Sequence, residues 1–161
     1  MGATPDPAAS PPSAVVLFDG VCNLCNRSVN FIIDHDARAY FRFAALQSDA
    51  ATPLLARCGL AADFLAGVVL WEDGRCFTRS TAALRIFRRL GGPWPLLYAC
   101  ILVPRPLRDA AYDWIIGRRY RWFGKTESCR VPTPEVMDRF LAPLTGRTSE
   151  RQDAARDVSG R

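Results

Sequence analysis

The sequence predicts an α/β domain in which a central β-sheet carries helices on both faces. Short apolar runs of strand length alternate with stretches whose apolar residues recur at helical spacing, in the order β-α-β-α-β-β-α. The dipeptide Asp73-Gly74 is a strong hairpin signal between the last two strands. The chain has 161 residues, of which 49% are hydrophobic, and a net charge of +5. These values are typical of one soluble globular domain.

The first strand, helix and second strand are predicted from residues 14 to 44. Residues 14–18 (AVVLF) form a continuous apolar run that indicates a buried strand, and Asp19-Gly20 indicates a turn after it. Apolar residues recur at helical spacing between Cys22 and Asp34, which predicts a helix with one core-facing stripe. Residues 40–44 (YFRFA) are β-prone and form the second predicted strand.

A short helix and a hairpin follow. The helix is predicted over residues 50–58 and ends at Gly59, and the hairpin strands are residues 67–71 and 75–78. We expect the first strand–helix–strand units to be parallel crossovers, with only the last two strands antiparallel. Ser80 is expected to cap a further helix that ends at Gly91-Gly92.

Beyond residue 92 the pattern is helical. Prolines divide this region into three predicted helices, over about residues 96–103, 107–123 and 134–141. We expect three tryptophans to anchor these helices against the main body: Trp94, Trp114 and Trp122. The predicted domain is therefore residues 14–144, with a helical extension from about residue 93. Residues 1–13 and 145–161 have almost no large apolar side chains and are predicted to be a disordered leader and tail.

Cys22 and Cys25 lie at the junction of the first strand and the first helix. The free backbone N–H groups and the positive end of the helix dipole stabilise a thiolate in the first turn. A spacing of three residues places the second thiol almost one turn further on the same face, where it can resolve a mixed disulfide. We therefore predict that Cys22 is the nucleophile and Cys25 the resolving thiol.

Four polar residues are further candidates for the site. Asp19 either exchanges a proton with Cys25, if burial raises its pKa, or accepts backbone N–H bonds that shape the loop. Gln47 and Ser48 follow the second strand, where loops gather beside an active site, and they either bind substrate or cap the next helix. Ser80 is a candidate substrate ligand as well as a helix cap.

The second half of the chain is strongly basic. Its cationic helix residues either hold an acidic partner or a glutathione-like carboxylate, or form a solvated helix face; they are Arg118, Arg119, Arg121 and Lys125. The basic residues lack the interleaved exposed aromatic residues of a nucleic-acid surface, so nucleic-acid binding is not expected.

The run from Phe18 to Cys25 (FDGVCNLC) resembles the signature of the DCC family, predicted thiol–disulfide oxidoreductases once known only as a domain of unknown function. The family is named for an Asp and two Cys, which correspond here to Asp19, Cys22 and Cys25. The resemblance spans roughly residues 15–132 and includes FAALQS from Phe43, STAAL from Ser80, RYRWFGK from Arg119, and Cys129. It implies a thioredoxin-like three-layer sandwich with a C-terminal helical extension, and a redox activity.

The chain differs from thioredoxins in two respects. Thioredoxins carry a cis-proline before the third strand, whereas residues 64–67 (FLAG) contain no proline. A Trp-Cys-Gly-Pro-Cys motif is also absent. Both differences argue against a substrate that binds as an extended peptide.

The expected cellular compartment determines the expected state of the cysteines, because thiols are oxidised in some compartments and reduced in others. The chain has no secretory signal and no apolar segment long enough to span a membrane, so we expect a cytoplasmic location without stable membrane insertion. Because thiols in the cytoplasm are normally reduced, we expect the six cysteines to be free, catalytic or metal-bound rather than to form structural disulfides. The four outside the pair are isolated in sequence: Cys58, Cys76, Cys100 and Cys129. They provide no second pair for zinc or an iron–sulfur cluster, so no metal or cofactor is predicted.

Two functions are consistent with these features. The leading prediction is an enzyme that exchanges disulfides with a protein or a small thiol through the Cys22–Cys25 pair. The alternative is a non-enzymatic, thioredoxin-like interaction module whose contact surface is the basic C-terminal half.

Overall fold

The computed structural model describes residues 14–61, 63–64, 67–125 and 138–141. The elements follow the predicted order β-α-β-α-β-β-α and then extend into further helix. They are β1 (Ala14–Phe18), α1 (Asn23–His35), β2 (Phe41–Ala45), α2 (Ala51–Arg57), β3 (Val69–Glu72), β4 (Arg75–Thr78), α3 (Arg79–Arg89), a 3-10 helix (Trp94–Leu102) and α4 (Arg105–Phe123). The predicted leader and tail lie outside the described residues.

The four strands form one mixed sheet in the order β2-β1-β3-β4. The central strand β1 is parallel to β2, with Val16 opposite Phe43, and antiparallel to β3, with Val16 also opposite Leu70. The prediction of parallel crossovers is therefore correct for β1–α1–β2 and wrong for β2–α2–β3. Because β3 runs antiparallel to β2, it begins at the same end of the sheet at which β2 finishes. The seven residues of α2 therefore need not carry the chain back along the length of a strand.

Both faces of the sheet are covered. Alternate residues of β1 point to opposite faces: Val16 and Phe18 pack with α1 and α3, whereas Val15 and Leu17 pack with α2. This alternation explains why β1 is a continuous apolar run, since every one of its residues is buried. The result is the predicted three-layer, thioredoxin-like arrangement, with the C-terminal end of β1 delivering the chain directly to Cys22.

The C-terminal extension packs on the α3 side of the molecule, and Trp94 anchors it through edge contacts with Phe31 at 4.8 Å between ring centroids. The prediction is wrong for the other two tryptophans. Trp114 and Trp122 are 53% and 51% exposed and pack on each other, 5.2 Å apart. Tyr112, Ile116 and Arg119 recur at helical spacing and form the side of α4 that faces the protein. Trp114 and Trp122 lie on the opposite, outer stripe of the helix.

Only the end of the predicted helix over residues 134–141 lies within the described residues, and it is not helical there. Phe140 instead forms a parallel bridge with Phe43 on the free edge of β2. Arg139 forms a buried ion pair with Asp36 at the same edge. The unused backbone groups of an edge strand favour this pairing over a further helical turn.

Cys58 and Cys76 form a disulfide whose Cα atoms are 5.5 Å apart. The expectation that these cysteines are free, catalytic or metal-bound is therefore wrong. Cys58 directly follows α2, which packs against the face of the sheet that also carries Trp71, the neighbour of Cys76 across the hairpin. Packing of α2 on this face thus places the two thiols within bonding distance.

None of the described helices combines the length and the apolar character needed to cross a membrane.

Candidate active site

The structure places the Cys22–Cys25 pair at the N-terminus of α1, as predicted. Cys22 is the N-cap of the helix, with extended backbone angles, and its Sγ accepts a hydrogen bond from the backbone N–H of Cys25 at 3.4 Å. A sulfur atom in this position receives one of the free donors of the first turn, in a place where the helix dipole favours negative charge.

The two thiols differ in accessibility. Cys22 is 0% exposed, whereas Cys25 is partly exposed. The thiol that was predicted to react first is therefore shielded, and the predicted resolving thiol is the one nearer to the surface.

The last residue of α4 and the two residues that follow it, residues 123–125, close the site on the side of Cys22. The backbone of Lys125 forms an isolated antiparallel bridge with Cys22. The Asn23 N–H donates to the carbonyl of Gly124 at 3.5 Å, and Asn23 Nδ2 donates to the carbonyl of Phe123 at 2.8 Å. We call residues 123–125 the covering segment. It leaves the approach from Cys25 as the more open one.

The surroundings of Cys25 favour its protonated form. Burial raises the pKa of the Cys25 thiol, and its hydrogen bond and charge interaction with Cys22 raise that pKa further. The negative charge of Asp19 acts in the same direction, and Arg119 opposes it. Cys25 is thus held as a protonated thiol that can donate a hydrogen bond to the sulfur of Cys22.

Asp19 is completely buried at the end of β1 and has four donors around it. Its carboxylate accepts hydrogen bonds from Val21 N–H at 3.2 Å, Gln47 Nε2 at 2.8 Å, Arg119 Nη2 at 3.2 Å and the Tyr120 hydroxyl. Burial raises the pKa of Asp19, but the bonds from Tyr120, Gln47, Val21 and Arg119 outweigh it and lower that pKa below its ordinary value of 3.8. Asp19 is therefore ionised.

These contacts bear on the two predicted roles of Asp19. Proton exchange with Cys25 required a raised pKa, and this condition is not met. The other predicted role, acceptance of a backbone N–H bond within the loop, is observed at Val21. The carboxylate also anchors α4 to the loop that carries Cys22, through its ion pair with Arg119.

The other predicted site residues are distributed unevenly. Gln47 joins the site, since it donates to Asp19 and its Oε1 accepts from Gly20 N–H at 3.1 Å. Ser48 bonds the carbonyl of Ala45 at 2.7 Å, a local turn contact. Ser80 is not the helix cap, because Thr78 is the N-cap of α3, and the Ser80 hydroxyl bonds Asp109 of α4 instead.

The structure buries Arg119, whereas both predicted roles for it require an exposed side chain. Its buried side chain is paired with Asp19, so it is neither a solvated helix cation nor a docking group for an acidic partner. Arg118 packs over the ring of Trp114 at 4.3 Å, and Lys125 lies over the ring of Tyr120 at 4.4 Å. Arg121 is exposed on the outer side of α4.

Sequence analysis also missed two tyrosines of α4. Tyr120 completes the donor set of Asp19, and the Tyr112 hydroxyl accepts from Val68 N–H at 2.9 Å, next to the backbone of Gly67. Tyr120 belongs to the RYRWFGK motif, but only the packing of α4 brings its hydroxyl to a residue 101 positions earlier. Among the described residues, no group of three or more His, Cys, Asp or Glu side chains is arranged to hold a metal ion.

Comparison with known proteins identifies the family. Residues 16–125 match the DCC1-like thiol-disulfide oxidoreductase family. The chain belongs to this family. The matched residues include the end of β1, the cysteine pair and the whole of α4, which are parts that build the site around Asp19.

Two relatives of this DCC family protein are similar over most of its length. The uncharacterized protein YuxK of Bacillus subtilis (strain 168) is 47% identical over 130 residues, covering 81% of this chain and 95% of the relative. A chloroplastic DCC family protein of Arabidopsis thaliana is 42% identical over 118 residues, covering 73% of this chain and 69% of the relative. No solved structure matches the chain significantly.

Proposed function

We propose that this DCC family protein is a thiol–disulfide oxidoreductase in which Cys22 is the nucleophile and Cys25 the resolving thiol. The observation that supports this most directly is the position of Cys22 Sγ, which accepts the Cys25 N–H at the N-terminus of α1. A thiolate is the nucleophile in disulfide exchange, and this position stabilises one. The raised pKa of Cys25 agrees with a thiol that remains protonated until the second step.

The reaction is a two-electron exchange. The Cys22 thiolate attacks one sulfur of a substrate disulfide, the substrate S–S bond breaks, and the leaving thiolate takes up a proton. Cys25 then loses its proton and attacks Cys22 Sγ in the mixed disulfide, which releases the second substrate thiol and forms the Cys22–Cys25 disulfide. The protein dithiol is oxidised and the substrate disulfide is reduced; the reverse sequence oxidises a substrate dithiol.

Access to Cys22 requires a local movement, because its side chain has no exposed surface in this structure. The covering segment is joined to Asn23 by two hydrogen bonds, of 3.5 and 2.8 Å, and its displacement would uncover the sulfur. The alternative route is past the partly exposed Cys25.

Asp19 and Gln47 act as positioning residues in this proposal. Together with Arg119 they hold the loop between β1 and α1 against α4, so that Cys22 stays at the helix N-terminus. We assign no substrate contact to Ser48, Ser80 or Arg119, since each is engaged by the protein itself.

The proposed substrate is a protein disulfide or a small thiol, and the proposed compartment is the cytoplasm. A cytoplasmic location makes the Cys58–Cys76 disulfide unusual, because thiols are normally reduced there. Rapid thiol trapping in cell extracts, followed by mass mapping of this disulfide, tests whether the protein meets an oxidising environment.

Peptide mapping tests the activity. After mild oxidation we expect a Cys22–Cys25 disulfide that a dithiol reduces. Cys25→Ser should trap a mixed disulfide on Cys22, and Cys100→Ser, which removes an exposed free cysteine, is the matched control that leaves cycling unchanged. Oxidised protein with Cys22 and Cys25 both free would overturn the proposal.

One observation favours a second candidate, the interaction module. The outer stripe of α4 exposes the large apolar residues Leu107, Trp114 and Trp122, close to the cations Arg118 and Arg121. This candidate expects that Cys22→Ser preserves the cellular role, whereas charge reversal at Arg118 and Arg121 removes it. Arg119 is unsuitable for this test because its charge is buried against Asp19.

A further inference from the structure

Beside Cys25 the structure has a cavity of about 550 Å³. It lies between α1, α3 and α4, over the face of the sheet formed by Val16 and Phe18. The side chain of Cys25 forms part of its wall, whereas Cys22 does not line it. The cavity therefore reaches the cysteine pair from the side that the covering segment leaves open.

The wall of the cavity is apolar. Aliphatic and aromatic side chains form most of it, among them Phe31, Ile32, Ile86, Phe87 and Ile116. Tyr112 also lines it, and its hydroxyl is already bonded to Val68 N–H. Arg27 and Ser28 also line the cavity, and both are exposed side chains at its rim on α1.

This lining discriminates between classes of disulfide. A charged group that enters an apolar cavity loses its hydration and gains no partner there, which is strongly unfavourable. Glutathione disulfide carries several carboxylates and ammonium groups, and Arg27 at the rim is the one cation among the described side chains that line the cavity. An uncharged alkyl or aryl group gains free energy from the same surface.

We propose that this cavity is the substrate pocket of the cysteine pair and that it takes small, neutral disulfides with an apolar substituent. The substituent occupies the cavity, and the S–S bond lies at the wall formed by Cys25, next to Cys22. The inference rests on the proposed thiol–disulfide exchange and adds the class of substrate to it. A volume of about 550 Å³ is within the usual range for small-molecule pockets.

In the exchange itself, an apolar disulfide R–S–S–R′ and the reduced pair give the Cys22–Cys25 disulfide, R–SH and R′–SH. One substrate S–S bond breaks and one protein S–S bond forms. Two electrons pass from the protein to the substrate. The two product thiols take up the proton that Cys25 loses and one proton from solvent, which replaces the proton that Cys22 releases when its thiolate forms.

Alkyl 2-pyridyl disulfides with ethyl, butyl and hexyl chains are suitable probes, because each exchange releases a chromophoric pyridinethione. The assay uses the reduced full-length Cys100→Ser protein in single turnover, with each rate divided by that of the same probe with dithiothreitol. The rate of Cys22→Ser/Cys25→Ser in the same background is subtracted. We expect the normalised rate to rise by up to about fourfold per added methylene, and the 2-pyridyl disulfide of glutathione to react more slowly than the hexyl probe.

Ala83→Leu tests whether the selectivity comes from the cavity. Ala83 lines it on α3, so a leucine there fills space that the substrate would use. The matched control is Ala111→Leu, the same substitution at an exposed position of α4 that does not line the cavity. We expect Ala83→Leu to flatten the dependence on chain length and Ala111→Leu to retain it. Ile116→Ala, which enlarges the cavity, should extend the rise to longer chains and serves if Ala83→Leu does not fold.

The possible results separate the two proposals. A normalised rate that is independent of chain length, or a glutathione probe as fast as the hexyl probe and insensitive to Ala83→Leu, overturns the substrate class and leaves the exchange activity intact. Release of pyridinethione that does not exceed the double cysteine variant for any probe overturns the proposed function, and the pocket assignment with it.

Discussion

The buried ion pair between Asp19 and Arg119 links the loop before the cysteine pair to α4, and Arg119→Met tests what it contributes. The side chains of the pair are 0% and 7% exposed. Methionine keeps most of the volume and the apolar contacts of the arginine stem, so the substitution removes chiefly the charge. Asp19 would then remain ionised and buried without its cationic partner.

The structure sets the magnitude of the effect. Loss of one partner of a buried pair costs about 3–5 kcal/mol. Asp19 keeps its bonds from Val21, Gln47 and Tyr120, so we expect the lower end, about 3 kcal/mol of unfolding free energy at neutral pH.

The pH dependence has a definite sign. In the native protein the pKa of Asp19 is lowered, so its stabilisation is present above the unfolded value of about 3.9 and is lost as the pH falls through the lower folded value. Without Arg119 the burial of Asp19 is less well opposed, and its folded pKa rises. The difference in stability between wild type and Arg119→Met should therefore be largest near pH 7 and should shrink as the pH falls toward about 4.

Urea unfolding followed by circular dichroism measures these free energies. Arg121→Met is the matched control, since it makes the same substitution at an exposed position of the same helix, and it should change stability by less than about 0.5 kcal/mol. The double variant Asp19→Asn/Arg119→Met should recover part of the loss, because no unpaired charge remains. A loss below about 1 kcal/mol for Arg119→Met, or one that is independent of pH, would refute the reasoning.

Two further predictions concern the disulfide and the covering segment. Cys58→Ala/Cys76→Ala should lower the unfolding free energy by about 3 kcal/mol, because the disulfide closes a loop with a sequence separation of 18; a variant as stable as oxidised wild type would contradict this. Asn23→Ala removes the 2.8 Å bond to the carbonyl of Phe123 and should speed alkylation of Cys22 by about fivefold, measured by peptide mapping with Cys100 labelling as the internal reference. An unchanged rate at Cys22 would show that the covering segment does not control access.

Local features of the sequence were sufficient for the elements and for the location of the pair. The apolar run of residues 14–18, the helical spacing after Cys22 and the Asp73-Gly74 turn act within a few residues, so they correspond closely to β1, α1 and the β3–β4 hairpin. The prediction failed where the structure depends on contacts between segments that are far apart in the sequence. The direction of β3 depends on the end of the sheet from which it enters beside β1, which is a long-range property. The end of the predicted helix over residues 134–141 was also wrong, because Phe140 forms a bridge with Phe43 of β2.

The composition of the site shows the same division. Asp19, Cys22 and Cys25 were recognisable because they are adjacent in sequence, and Gln47 because it follows a strand that is parallel to β1. Arg119 was recognised as a candidate but given a solvent-exposed role, since the sequence does not state which side of α4 faces the sheet. Tyr120 lies in the RYRWFGK motif, but the sequence assigned it no role, because its hydroxyl reaches Asp19 only once α4 is packed.

The sequence by itself therefore determined the α/β class, the order of the elements and a thiol pair at the start of a helix, all of which follow from hydrophobic periodicity and turn residues over short distances. Only the tertiary structure decided that Cys22 is covered while Cys25 lines an apolar cavity, that Asp19 is ionised against Arg119, and that Cys58 is bonded to Cys76. These properties depend on burial and on contacts between residues up to 101 positions apart, which arise when separate elements pack and are not encoded in the spacing of any one of them.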